Sequence, residues 1–133
     1  MKPVFLDTVG LIAVWDEDDQ WHLAAAKAFA QLVREQAVIV TTPYVLAECA
    51  NAASRRPYRA EVVEMRAALE RKKRVLSPTK DDWQEAWRCY AADGIGGPGI
   101  VDHLSFLVMR RYGLNQAFTN DRHFRAAGFE PLF

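Results

Sequence analysis

What most constrains this chain is an alternation along its length. Short apolar runs rich in β-branched residues are separated by longer segments whose apolar residues recur at helical spacing. Val4-Phe5-Leu6, Ala37–Thr41, Arg74–Ser77 and Gln116–Thr119 read as strands. Between them, Thr8–Trp15, a stretch from about Gln20, Tyr44–Ser54, Tyr58–Lys73, a stretch after Thr79 and one from about Val101 to Tyr112 read as helices. Pro43 suits a first helical position, Thr79–Asp82 has the form of a capping box, and Gly113 suits a helix end. Asn120-Asp121 starts a last short helix, and the apolar tail GFEPLF suits a final strand. Strands that take turns with helices predict a central parallel sheet of four to five strands covered by helices on both faces, a three-layer α/β/α domain.

Length and charge set the remaining bounds. The 133 residues are one domain's worth and half of them are hydrophobic, so a folded single domain over residues 1–133 is expected and a disordered chain is excluded. With 17 basic and 17 acidic residues the formal charge is zero, which argues against a protein that coats nucleic acid by charge alone. Charge is nevertheless uneven. Ser54–Arg74 holds eight basic and three acidic residues, a local balance of +5. Arg55 and Arg56, which follow a candidate site helix, and Arg122 are the candidates for gripping phosphate. Cys49 and Cys89 lie in helical segments and read as buried thiols, not a disulfide. No apolar run approaches a membrane span, so a cytoplasmic protein with no membrane partner is expected.

Four carboxylates stand out by position. Asp7 follows the first strand directly, Asp121 comes just after the last long one, Glu48 sits one turn into the helix after the second, and Asp102 opens the helix after a glycine-rich loop, DGIGGPG. In a parallel sheet these places share one edge, where ligand sites gather. Each aspartate could instead be a helix cap. Glu48 lies in YVLAECA, an apolar helix that reads as buried, where a carboxylate is costly unless paired or on a metal. Asn51 and Ser105 fall three residues after Glu48 and Asp102 and extend each carboxylate into a polar stripe. Clustered carboxylates without a basic partner need a cation, and an all-oxygen set favours Mg²⁺ or Mn²⁺. The residues by themselves therefore point to a metal-dependent site that cleaves phosphodiesters. A phospho-aspartate phosphatase at Asp7 is disfavoured, because Val9 stands where such folds want a second aspartate.

At these residues the sequence resembles the PIN-domain family, and within it the VapC-type toxin ribonucleases. The resemblance is carried by VFLDTVGLIAVW, TTPYVLAEC, VDHLSFLVMRRYGL and AFTNDRHFRAAGFEPLF, in that order. It implies an RNA-cleaving domain that uses Mg²⁺ or Mn²⁺, a homodimer, and a cognate antitoxin that blocks the site. It maps the family's acidic motif onto Asp7, Glu48, Asp102 and Asp121, with Asp7 and Asp102 as the most direct metal ligands. Thr8 and Thr119 match its frequent hydroxyl positions, and Asn120 is a candidate to contact substrate or to shape the turn. Gly99 stands where the family often carries Ser or Thr, which leaves a second reading open: a PIN-like module that binds RNA or a protein partner without cutting. The Trp83, Trp87, Tyr90 stripe reads as core or dimer contact in preference to a base-stacking platform.

Overall fold

In the computed structural model, which describes residues 2–133, four strands form one sheet in the order β2-β1-β3-β4, with β1 at Val4–Leu6, β2 at Ile39–Val40, β3 at Gln116–Phe118 and β4 at Glu130–Pro131. Every pairing is parallel: Phe5 lies opposite Val40 on one side and Ala117 on the other, and Gln116 lies opposite Glu130. Among the described residues seven helices flank the sheet in an α/β/α arrangement: α1 (Thr8–Trp15), α2 (His22–Arg34), α3 (Pro43–Ala52), α4 (Arg59–Arg71), α5 (Lys80–Asp93), α6 (Ile100–Arg111) and α7 (Arg122–Ala126). Helix α1 packs on α2 and α3, and α3 packs on α4. The other group joins α6 to α5 and α7.

Local chemistry sets most of the boundaries. Thr42 accepts a hydrogen bond from the Val45 amide and Pro43 opens α3. Thr79 and Asp82 cap α5 reciprocally. Gly113, at a φ of 68°, ends the run after α6 in the left-handed region. One expected strand is reduced: Arg74–Ser77 contributes only an isolated parallel bridge, Val75 to Thr41, because Arg74 and Leu76 exchange just two backbone bonds with Thr41 before the chain turns into α5.

The strand order creates the site. From β1 the chain crosses to β2 on one side, and it later returns to place β3 on the other. A crevice therefore opens at the carboxyl ends of β1 and β3, the switch point at which such sheets bind ligands. Phe5, Leu6, Leu11, Phe118 and Phe124 are fully buried beneath it. The Trp83, Trp87, Tyr90 stripe is not core: all three rings are exposed, in edge-to-face contact along α5, and Tyr44 of α3 stacks on Trp83.

Helix α1 can seat on β3 only because residue 10 is glycine. A Cβ there would lie 2.1 Å from the Phe118 carbonyl oxygen and 2.6 Å from its ring. Gly10→Ala must push α1 off the strand that carries Thr119. A loss of about 1–3 kcal/mol, the usual cost of overpacking, is expected in urea unfolding.

Candidate active site

Each of the four carboxylates is brought to this edge by its own element. Asp7 is the residue between β1 and α1, Glu48 lies on α3, Asp102 is in the first turn of α6, and Asp121 precedes α7. Together with Thr8 and Asn51 they line one open cleft of about 410 Å³.

The environments of the four differ. Asp7 is buried, at 1 % exposure, and occupies the N-cap position of α1 without making a cap hydrogen bond. Its carboxylate instead accepts a 2.8 Å bond from the Thr119 hydroxyl, 112 residues away. Burial first, and the neighbouring Asp102 charge second, push its pKa up to about 7. Asp102 is half-buried and accepts a 3.1 Å bond from the Gly99 amide, which is the N3 half of a capping box. Burial raises its pKa as well, ahead of the charges of Asp121 and Glu48, while His123 pulls the other way. Asp121 caps α7 through the His123 amide at 2.8 Å, and its own amide donates to the Thr119 hydroxyl. The cap reading therefore holds for Asp121, and in part for Asp102, but not for Asp7.

Glu48 corrects an expectation. It is exposed, as are Ala47, Ala50 and Asn51 on the same helix. The helix reads as buried because its outer face is built from alanines, which count as apolar without needing a core. What holds the carboxylate in place is a 2.6 Å bond from the Thr8 hydroxyl.

The supporting residues divide. Thr119 is fully buried between Asp7 and Asp121, and Thr8 and Asn51 lie in the cleft wall. Ser105 is not brought to the site: it is buried in α6 and donates to the Val101 carbonyl one turn back, an outlet open to any helical serine. Asn120 is half-buried in the turn before Asp121 and does not line the cleft. Arg55, Arg56 and Arg122 are exposed and lie outside it too, with the Arg56 charge acting on Tyr58. Cys49 is buried, and burial together with the Asp7 and Glu48 charges pushes its thiol up to about 12, so it stays protonated and inert. Sequence reasoning treated Gly99 only as a missing hydroxyl. Its amide is the group that holds Asp102, and the spacing G-x-x-D was the available signal.

None of the four acids takes part in a salt bridge among the described residues. The donor set is all oxygen, and a carboxylate as buried as Asp7 must otherwise carry a proton, so the cleft fits a hard divalent cation. No three His, Cys, Asp or Glu side chains among the described residues form a ready-made cage. The fit is therefore to an ion that keeps part of its water, as Mg²⁺ does.

Comparison with known proteins bears on the family of the chain. The PIN domain family matches residues 4–130. The chain is 32 % identical over 127 residues to a 23S rRNA-specific endonuclease, VapC20, of Mycobacterium tuberculosis (strains CDC 1551 / Oshkosh and ATCC 25618 / H37Rv), covering 95 % of each chain. The crystal structure of M. tuberculosis VapC20, described as a sarcin-ricin loop cleaving toxin, superposes with a TM-score of 0.76 at 30 % identity, again over 95 % of both chains.

The raised pKa of Asp7 has a consequence for stability. The folded chain without metal binds this proton more tightly than the unfolded chain, whose carboxyl titrates near 3.8. Stability should therefore fall as pH climbs from about 4 to about 7, by no more than roughly 4 kcal/mol. Urea unfolding in EDTA across that range is expected to show this slope, and Asp7→Asn to remove most of it.

Proposed function

The chain belongs to the PIN domain family, and on that premise we propose that it is a metal-dependent endoribonuclease, the toxin of a toxin–antitoxin pair, with its reaction centre in the acidic cleft. The observation that carries this reading is the convergence of Asp7, Glu48, Asp102 and Asp121 on one cleft with no salt-bridging cation among the described residues, Asp7 being buried although it is a carboxylate.

In this reading Asp7 and Asp102 hold Mg²⁺ or Mn²⁺ most directly, and Glu48 and Asp121 complete the set. A divalent ion there lowers the pKa of water and draws off charge that develops on a phosphoryl oxygen. The protein's own groups do the positioning. Thr119 orients Asp7, Thr8 orients Glu48, the Gly99 amide orients Asp102 and the His123 amide orients Asp121, so one oxygen of every carboxylate is fixed before substrate arrives. Glu48, exposed at the mouth, accepts the proton of the attacking water. The water oxygen bonds to phosphorus and the bond to the 3′ oxygen breaks; that oxygen takes up a proton from solvent, leaving a 5′-phosphate and a 3′-hydroxyl. Arg55, Arg56 and Arg122, all exposed, take flanking phosphates.

The named activity of the relative makes large-subunit ribosomal RNA the first substrate to test. The partners in this reading are a second copy of the chain and an antitoxin. The uncompensated negative cleft suits a blocker that presents an arginine.

Cleavage of 23S rRNA, followed by end-labelling, should require Mg²⁺ or Mn²⁺ and stop in EDTA. Asp7→Asn or Asp102→Asn should lower the rate by about 10²-fold or more, and wild-type cleavage by either variant would sink the assignment. Thr119→Val keeps the shape but removes the Asp7 hydrogen bond. A loss of about 10–100-fold in rate or Mn²⁺ affinity is expected, read by single-turnover kinetics and calorimetry.

A further inference from the structure

The glycine-rich loop between α5 and α6 is tied shut at both ends. Asp93 is the last residue of α5, and His103 lies in the first turns of α6. The His103 ring nitrogen Nε2 and Asp93 Oδ2 are 2.5 Å apart across the base of the loop. The ring is buried, with its edge against Phe106. Inside the loop, Gly94 and Gly96 take positive φ values of 75° and 89°, and the Gly97 amide donates to the Gly94 carbonyl. Gly97 then lies directly on the clamp: a Cβ there would fall 2.5 Å from Asp93 Cβ and 3.3 Å from its Oδ2. Asp93 thus has two neighbours, the backbone of the loop it precedes and the histidine that follows that loop.

Two residues beyond Gly97, the Gly99 amide donates to Asp102 Oδ2, and the Gly99 carbonyl accepts from the His103 amide. His103 and Asp102 are adjacent in sequence, so the element that fixes the loop also fixes the first turn of the helix presenting Asp102. Gly99 has no side chain to bond the Asp102 amide in return, so this end of the helix is held by the Gly99 backbone N–H alone, whose direction depends on the loop conformation.

We propose that Asp93 and His103 are positioning residues for the acidic cleft: by pinning Gly97 and closing the 94–99 loop, they aim the Gly99 amide at Asp102 and so set the orientation of that carboxylate. The clamp lies outside the cleft lining, and among the described residues neither of its side chains hydrogen-bonds to any of the four acids. Its consequence for metal binding rests on the function proposed above; its consequence for the loop does not.

Two readouts separate the parts. Amide hydrogen exchange on the full chain in EDTA reads the clamp itself. Asp93→Ala should speed exchange at Gly97 and Gly99 by about tenfold or more while exchange in β1 and β3 stays as in wild type. Asp93→Asn, which keeps an acceptor for the His103 ring, should restore protection. Gly97→Ala keeps both clamp residues but drives a methyl into Asp93, and should loosen the loop in the same way. Mn²⁺ calorimetry reads the consequence: Asp93→Ala and Gly97→Ala should weaken binding about 10-fold or more, with Asp93→Asn near wild type. Should Asp93→Ala fail to fold, the comparison of Gly97→Ala with Asp93→Asn carries the same test. Wild-type exchange in the 94–99 loop of Asp93→Ala or Gly97→Ala overturns the clamp. A faster loop with unchanged Mn²⁺ affinity overturns the positioning role. A wild-type chain that takes up no Mn²⁺ overturns instead the reading of the cleft, and the exchange data still decide the clamp.

Discussion

The hydrogen bond from Thr119 to Asp7 joins the two ends of the chain at the point where the sheet reverses its order. It links the ends of the first and third strands across 112 residues, and both its partners are buried. Thr119 holds Asp7 with its proton and receives the Asp121 amide on its oxygen, so one hydroxyl registers two of the four acids against each other. The bare α-carbon of Gly10 serves the same junction, because α1 must lie against the Phe118 carbonyl for Asp7 to reach Thr119.

Around that junction the molecule accepts an electrostatic cost. A carboxylate at 1 % exposure with acidic neighbours is unfavourable in the chain alone, and folding tolerates it because the rest of the sheet is deeply apolar. The cleft is electrostatically incomplete. The fixed donors from Thr8, Thr119, Gly99 and His123 orient the oxygens without neutralising them, and the missing positive charge is left to whatever binds. Any positive charge that enters the cleft, a proton included, meets the same deficit.

Much of the architecture was legible because it is local. β-Branched runs, a proline at a helix start, a Thr-x-x-Asp box and a helix-ending glycine each declare themselves within a few residues, and the elements fall where these signals lie. Legibility failed where composition stood in for environment. Alanines made α3 look buried and left Glu48 misread, since a small apolar residue costs little in water. The Trp83, Trp87, Tyr90 stripe has core spacing but lies on the open side of α5, and nothing within one helix says which face its neighbours will cover. Ser105 shares its helix with Asp102 yet turns its hydroxyl back onto Val101.

By itself the sequence determined the order of strands and helices, the parallel sheet that this order requires, and the placing of an acidic residue at or near the carboxyl ends of three strands and at the head of α6. These follow from periodicity and from the rule that strands and crossover helices alternate in direction. Only the tertiary structure decided that Asp7 is buried while Glu48 is not, that Thr119 reaches Asp7, and that Asp93 meets His103 across the loop. Desolvation and Coulomb coupling depend on distances through space, and those distances are set only when segments far apart in the chain pack against one another.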